Sequence, residues 1–146
     1  PATTIMKMIY SKAFPKAHII KTGSKTAEMV KYFTNTFLAT KVSFANEMKE
    51  ICDGLKIDYD KVVEYAIHDE RLGKSHLAVP GPDGKLGFGG SCFPKDLNAL
   101  IHLAGELELN TEVLKGAWNT NLKVRPEEDW KQLKGRAVTR RNDAKS

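Results

Sequence analysis

Cys92 stands inside the decapeptide GFGGSCFPKD, residues 87–96, with Asp96 four positions later and Lys95 between them. Glycines at 87, 89 and 90 precede the cysteine and Pro94 follows it, so a permissive loop runs into a helix that the proline opens. A thiol at that junction feels the positive end of the helix dipole, which favours the nucleophilic thiolate, and Lys95 pushes the same way. Four residues make about one helical turn, so Asp96 falls on the cysteine's side. The glycines let backbone approach a ligand closely. The pattern suits a reactive cysteine, and it equally suits a small thiol buried at a helix start. Cys52, beside Ile51 in a periodic apolar stretch, reads as core.

A second pair, Lys31 and Asn35 in VKYFTNTFLATK, is also spaced by one turn. Leu38 and Val42 continue the same face, so two polar groups sit at the end of an apolar stripe. Either they serve a site, or Lys31 snorkels and Asn35 makes a packing hydrogen bond.

The elements that must position these groups are mostly helical. Residues 4–16 read as a short helix ending near Pro15, and AHIIKT (17–22) as a strand before a turn at Gly23. From Ser24, a good N-cap, Val30, Phe33, Phe37, Leu38, Phe44, Ala45, Met48 and Ile51 recur at spacings of three and four. No Gly or Pro interrupts before Gly54, which predicts a helix of about 29 residues and roughly 43 Å. Asp58 caps a further helix with Tyr59, Val62, Val63, Ala66 and Ile67 on one face. Residues 69–91 read as loop, with PGPDG as turn chemistry. The helix opened by Pro94 covers KDLNALIHLAGEL, and another runs from about Thr111 through Val113, Leu114, Ala117 and Trp118 to stop before Pro126. PEEDWKQL reads as one more helix with Pro126 in its first turn, and RAV after Gly135 as the beginning of a strand.

Bulk properties narrow the class. A chain of 146 residues is one domain's worth of material and can bury a real core. No apolar run approaches the roughly 20 residues that span a bilayer, and no signal-like apolar centre opens the chain, so no membrane partner and a cytoplasmic location are expected. Cys52 and Cys92 lie 40 residues apart without a CxxC pair, and His18, His68, His76 and His102 form no HxxxH pair, so no disulfide framework and no metal site are expected. The net charge of +5 is mostly terminal: residues 134–146 carry +4 and the remainder +1. A nucleic-acid face should be spread along a folded element, so no nucleic-acid partner is expected.

Taken together, AEMVKYFTNTFLATKVSFANE, DERLGKSH and GFGGSCFPKD resemble the nucleotide-sugar dehydrogenases, the UDP-glucose/GDP-mannose dehydrogenase family, over about residues 9–135. The cysteine decapeptide is the most specific of the three. The family's members carry an NAD-binding Rossmann domain, a helical middle domain and a UDP-binding α/β domain. The resemblance implies a mainly α fold here, the helical dimerisation domain, like the C-terminal domain of 6-phosphogluconate dehydrogenase and built around one long helix. It implies that residues 1–23 end the NAD-binding domain and 24–133 form the central domain. Residues 134–146 would then be a truncated start of the UDP-binding domain or a disordered tail.

The roles implied by the resemblance follow residue by residue. The activity is NAD-dependent two-step oxidation of UDP-glucose to UDP-glucuronate. Cys92 is the nucleophile of the second oxidation, through a thiohemiacetal and a thioester. Lys31 and Asn35 stabilise the negative oxygen, and Asp96 activates or orients water. Lys95 and the backbone of Phe88 and Gly89 line the sugar-nucleotide site. Arg71 reaches the neighbouring subunit's site, and the long helix forms a homodimer core. Phe93 and VPGPDGKLGFGG favour UDP-glucose over GDP-mannose, whose dehydrogenases more typically have Leu after the cysteine. The chain shows no GxGxxG after a strand, so NAD is expected to bind mainly to a domain absent from it, and the chain alone is expected to be inactive. A stand-alone dimerisation domain without chemistry is the alternative from another class.

Overall fold

Five helices and two short 3₁₀ turns make up the regular structure of the described residues, 2–133, in this computed structural model, with no strand among them. The mainly helical expectation holds. The RAV stretch and the basic tail lie outside the described residues. The chain divides into two units, Pro1–Lys31 and Tyr32–Ser146.

In the first unit, α1 (Ala2–Ala13) ends just before Pro15 and leaves Ile5, Met8 and Ile9 exposed. Residues 17–22, expected as a strand, are irregular. β-branched residues favour a strand only when a neighbour takes its hydrogen bonds, and no other strand forms among the described residues.

Helix α2 (Ser24–Leu55) is 32 residues long, or about 48 Å, and its later part is the spine of the second unit. It runs through Gly54 rather than stopping there. Lys56 takes the left-handed conformation (φ 58°), while Ile57 N–H reaches the Cys52 carbonyl at 2.8 Å and Lys56 N–H the Asp53 carbonyl at 3.1 Å. Those two bonds close the helix in the Schellman pattern, so the residue that ends it is Lys56 and not the glycine. Asp58 then caps α3 (Tyr59–Ala66) as its sequence suggests, its side chain accepting from the Asp60 and Lys61 amides.

The inward face of α2 differs from the apolar stripe expected. Thr36, Ala39, Ser43, Ala45, Asn46 and Cys52 are buried, whereas Phe33, Phe37, Phe44, Ile51 and Leu55 are exposed. Small residues face inward because neighbours approach closely: Ser43 Oγ donates to the Ala117 carbonyl at 2.7 Å. Helix α4 (Cys92–Glu106) contributes Leu97 to a cluster with Ala39 and Phe88, against which Val42, Phe93 and Trp118 pack. Helix α5 (Glu112–Val124) lies beside α2 in the same direction, for its contacts advance together from Ser43–Ala117 through Glu47–Thr120 to Glu50–Lys123.

PEEDWKQL does not form the expected helix. Glu128 is left-handed (φ 43°), and only a 3₁₀ turn, Asp129–Gln132, follows. Tertiary contacts override the local preference: Asp129 is held by Arg125, and Trp130 is buried against Trp118 with ring centroids 5.3 Å apart.

A second cluster gathers Ala45, Cys52, Tyr59 and Val79. The Tyr59 hydroxyl donates to the Leu77 carbonyl at 2.7 Å, and burial, assisted by the charge of Asp60, pushes the phenol up to about 12. Folding therefore favours the neutral phenol, and stability present below pH ~10 is lost as pH rises toward the folded value. Urea unfolding between pH 9 and 12 should show a fall for the wild-type chain that Tyr59→Phe largely removes, from a baseline about 1 kcal/mol lower for the lost hydrogen bond. Identical slopes in the two chains would exclude this assignment.

Candidate functional site

Helix α4 begins at Cys92, with Ser91 at its N-cap position making no side-chain capping bond, two residues before the proline that was expected to open it. Pro94 is the third helical residue, where its missing N–H costs nothing because the first-turn amides have no intrahelical acceptor. The helical ladder starts with Lys95 N–H to the Ser91 carbonyl at 3.3 Å. Cys92 is exposed at this helix start, its sulfur 3.9 Å from Ser91 Oγ.

One turn further in, Asp96 is fully buried. Asn35 on α2 donates through Nδ2 to Asp96 Oδ2 at 2.5 Å, and the Lys95 ammonium donates to the other carboxylate oxygen. Removing a carboxylate from water is expensive unless donors replace the water, and here an amide and a charged group do so. The structure thus brings Asn35, Lys95 and Asp96 together, with Cys92 exposed one helical turn before Asp96. Lys31 is the last residue of the first unit, whereas the other four belong to the second.

Phe88 and Gly89 line an open groove of about 610 Å³ together with His76, Asp83, Gly90 and Phe93. The His76 ring lies against Phe93 with centroids 5.7 Å apart. PGPDG forms its turn, with Gly81 N–H on the Lys85 carbonyl at 2.8 Å. Arg71 projects into solvent, its side chain 88% exposed, and forks onto Asp69, which it holds below the usual carboxylate range.

Three residues absent from the sequence reading stand behind the groove: Asn46, Asn121 and Arg125. All are buried, and Arg125 is 2% exposed. Its guanidinium forks onto Asp129 at 3.1 and 2.7 Å, reaches Asp83 at 2.7 Å and donates to the Leu86 carbonyl at 3.3 Å. A signal for them did exist. Ala117, Asn121 and Arg125 are spaced by four, so two polar residues continue the stripe that buries Ala117.

Among the described residues no group of three or more His, Cys, Asp or Glu gathers to hold a metal ion. No described helix is long and apolar enough to cross a membrane. Nor does any described strand lead into a glycine turn, so these residues do not fit a dinucleotide cradle.

Fold and site together define a helical domain organised on one long helix, with an exposed cysteine at the start of a second helix that buries a carboxylate. The family profile described as UDP-glucose/GDP-mannose dehydrogenase family, central domain, matches residues 25–123, and the chain belongs to that family. It is 43% identical over 103 residues to the UDP-glucose 6-dehydrogenase YwqF of Bacillus subtilis, covering 70% of this chain and 22% of that protein. It is 36% identical over 123 residues to the UDP-glucose 6-dehydrogenase of Rickettsia prowazekii, covering 84% and 27%. The solved UDP-glucose dehydrogenase of Pyrobaculum islandicum superposes with a TM-score of 0.74 at 34% identity, over 84% of this chain and 27% of that one. The chain therefore spans about a quarter of the length of these relatives.

Hydrogen bonds from Arg125 hold the carboxyls of Asp83 and Asp129 below the usual range. A depressed carboxylate contributes stability above its ordinary value of about 4 and loses it as pH falls through the folded value. Thermal unfolding followed from pH 7 to 2 should fall less steeply below pH ~4 for Asp83→Asn/Asp129→Asn than for wild type. The variant should also start from a lower Tm at neutral pH. Parallel curves would mean that the two carboxylates contribute nothing to the loss of stability in acid.

Proposed function

We propose that this chain is the cysteine-bearing middle segment of an NAD-dependent UDP-glucose 6-dehydrogenase. The observation that carries the reading is Cys92 exposed at a helix start, one turn from the buried, doubly hydrogen-bonded Asp96 and beside the Phe88–Gly90 wall of the groove. NAD, bound by a domain outside this chain, supplies the oxidising chemistry.

The tasks of this segment's own residues follow from their chemistry. The Cys92 thiolate attacks the carbon of a sugar 6-aldehyde. A carbon–sulfur bond forms, the carbonyl π pair moves to oxygen, and a proton then completes the thiohemiacetal. Lys31 and Asn35 stabilise that oxygen; an amide has two N–H donors, so Asn35 keeps one for it while the other holds Asp96. After oxidation to the thioester, water oriented by Asp96 adds to the acyl carbon and the carbon–sulfur bond breaks, which releases the uronate and restores the thiolate. Lys95, Phe88 and Gly89 line the UDP-sugar site. Residues 1–23 complete the NAD-binding domain, 24–133 form the central domain, and 134–146 lead toward the UDP-binding domain.

A homodimer through α2 completes the reading. Its exposed Phe33, Phe37, Phe44, Ile51 and Leu55 make an apolar stripe that a second copy would cover, and the solvent-directed Arg71 would exchange Asp69 for that copy's site. In sedimentation the chain should run as a dimer, and Phe37→Glu/Phe44→Glu as a monomer; a wild-type monomer at high micromolar concentration would remove the dimer from this account.

Grafting decides the activity. This segment, placed between the flanking domains of the Bacillus subtilis relative, should reduce two NAD per UDP-glucose. Cys92→Ala should lower turnover on the order of 10³-fold, and the isolated chain should show none. A folded, NAD-binding chimera that forms no NADH, or that ignores Cys92→Ala, sinks the reading.

A further inference from the structure

Just ahead of the cysteine helix, consecutive backbone groups are gripped by side chains that take no part in the chemistry above. The Leu86 carbonyl accepts from Arg125 Nη1 at 3.3 Å. The Gly87 N–H donates to Asn46 Oδ1 at 3.1 Å. Phe88 is held at both ends: its N–H donates to Asn121 Oδ1 at 2.7 Å and its carbonyl accepts from Asn121 Nδ2 at 3.0 Å. Asn121 therefore treats Phe88 as a neighbouring strand would, with donor and acceptor engaged together.

Both flanking glycines fit this grip. Gly87 has φ 65°, and a Cβ there would lie 2.3 Å from Asn121 Oδ1. At Gly89 a Cβ would lie 2.4 Å from Arg125 Nη2 and 2.7 Å from Asp129 Oδ1. These glycines let protein side chains, rather than a ligand alone, come close to the loop. The arrangement is also costly: Asn121 is fully buried and Arg125 nearly so, and apolar residues of similar volume would fill the space without desolvating a charge. What apolar residues cannot do is fix the backbone orientation of a loop that has no ladder of its own.

We propose that Asn121 and Arg125 are positioning residues for the reaction of the preceding section. By holding residues 86–88 they set the groove wall against which the UDP-sugar lies, and hence the placement of its reacting carbon at Cys92, four residues beyond the clamp. The inference rests on that functional reading for its substrate but not for its geometry.

Two measurements test it. In the chain itself, Asn121→Ala should speed hydrogen exchange of the Phe88 amide at least about tenfold. Buried Cys52 should stay slow to alkylate while exposed Cys92 reacts, which shows that the variant is folded. An unchanged Phe88 rate overturns the clamp. Should Asn121→Ala also release Cys52, Gly89→Ala takes its place, since it displaces Arg125 without deleting a polar group. In the chimera, Arg125→Lys, which keeps the charge but not the fork, and Gly89→Ala should each raise KM for UDP-glucose at least about tenfold with KM for NAD unchanged. Once Arg125 is Ala, Gly89→Ala should add less than about twofold. A purely structural role would lower the active fraction and move neither KM, and that result also overturns the proposal. An unvaried chimera without turnover counts against the reaction, not the clamp, which the exchange rates then decide.

Discussion

Between the 3₁₀ turn that ends at Leu72 and the helix that begins at Cys92, the backbone has no helix or sheet to satisfy it. Buried N–H and C=O groups in such a stretch must find side chains, because an unpaired one costs as much as a lost hydrogen bond. Much else in the second unit follows from that demand. Asn46 from α2 and Asn121 from α5 turn inward to meet it, and Arg125 follows at the end of α5 with Asp83 and Asp129 to neutralise it. Helices that present polar groups to the core cannot also present a continuous apolar face.

The consequence is visible on α2. Its inward face is small or polar, and its phenylalanines point outward. A helix about 48 Å long with its largest side chains in water has an unmet hydrophobic demand, which is the physical basis for placing a second copy there. The buried and exposed faces of α2 thus share one cause: the face adapted to a loop is small and polar, and the large apolar side chains fall on the other.

The same economy shapes the carboxylate. Asp96 is tolerable in the interior because donors, Asn35 and Lys95 among them, meet its oxygens, so its burial ties the cysteine helix to the spine. Cys92 stays at the surface while its neighbour one turn away is immobilised. An exposed thiol beside an anchored carboxylate is the arrangement on which the proposed chemistry relies, since preorganised groups need not move when charge develops.

Sequence alone determined the elements whose causes are local. The period of α2, the Asp58 cap, the PGPDG turn and the cysteine at a helix start all depend on residues within a turn of one another, so they were legible. The pairing of Asn35 with Asp96 was within reach only as two separate spacings, since the two residues are 61 positions apart. Tertiary structure decided the rest. Among the described residues the AHIIKT stretch has no strand to pair with, PEEDWKQL yields to Arg125 and Trp130, and α2 buries its small face rather than its large one. Asn121 and Arg125 matter because of a loop more than thirty residues upstream, for Asn121 and the Phe88 it holds are 33 positions apart. Local propensity carries no information about such a partner, for the energy that selects these conformations arises only when distant segments exclude water together.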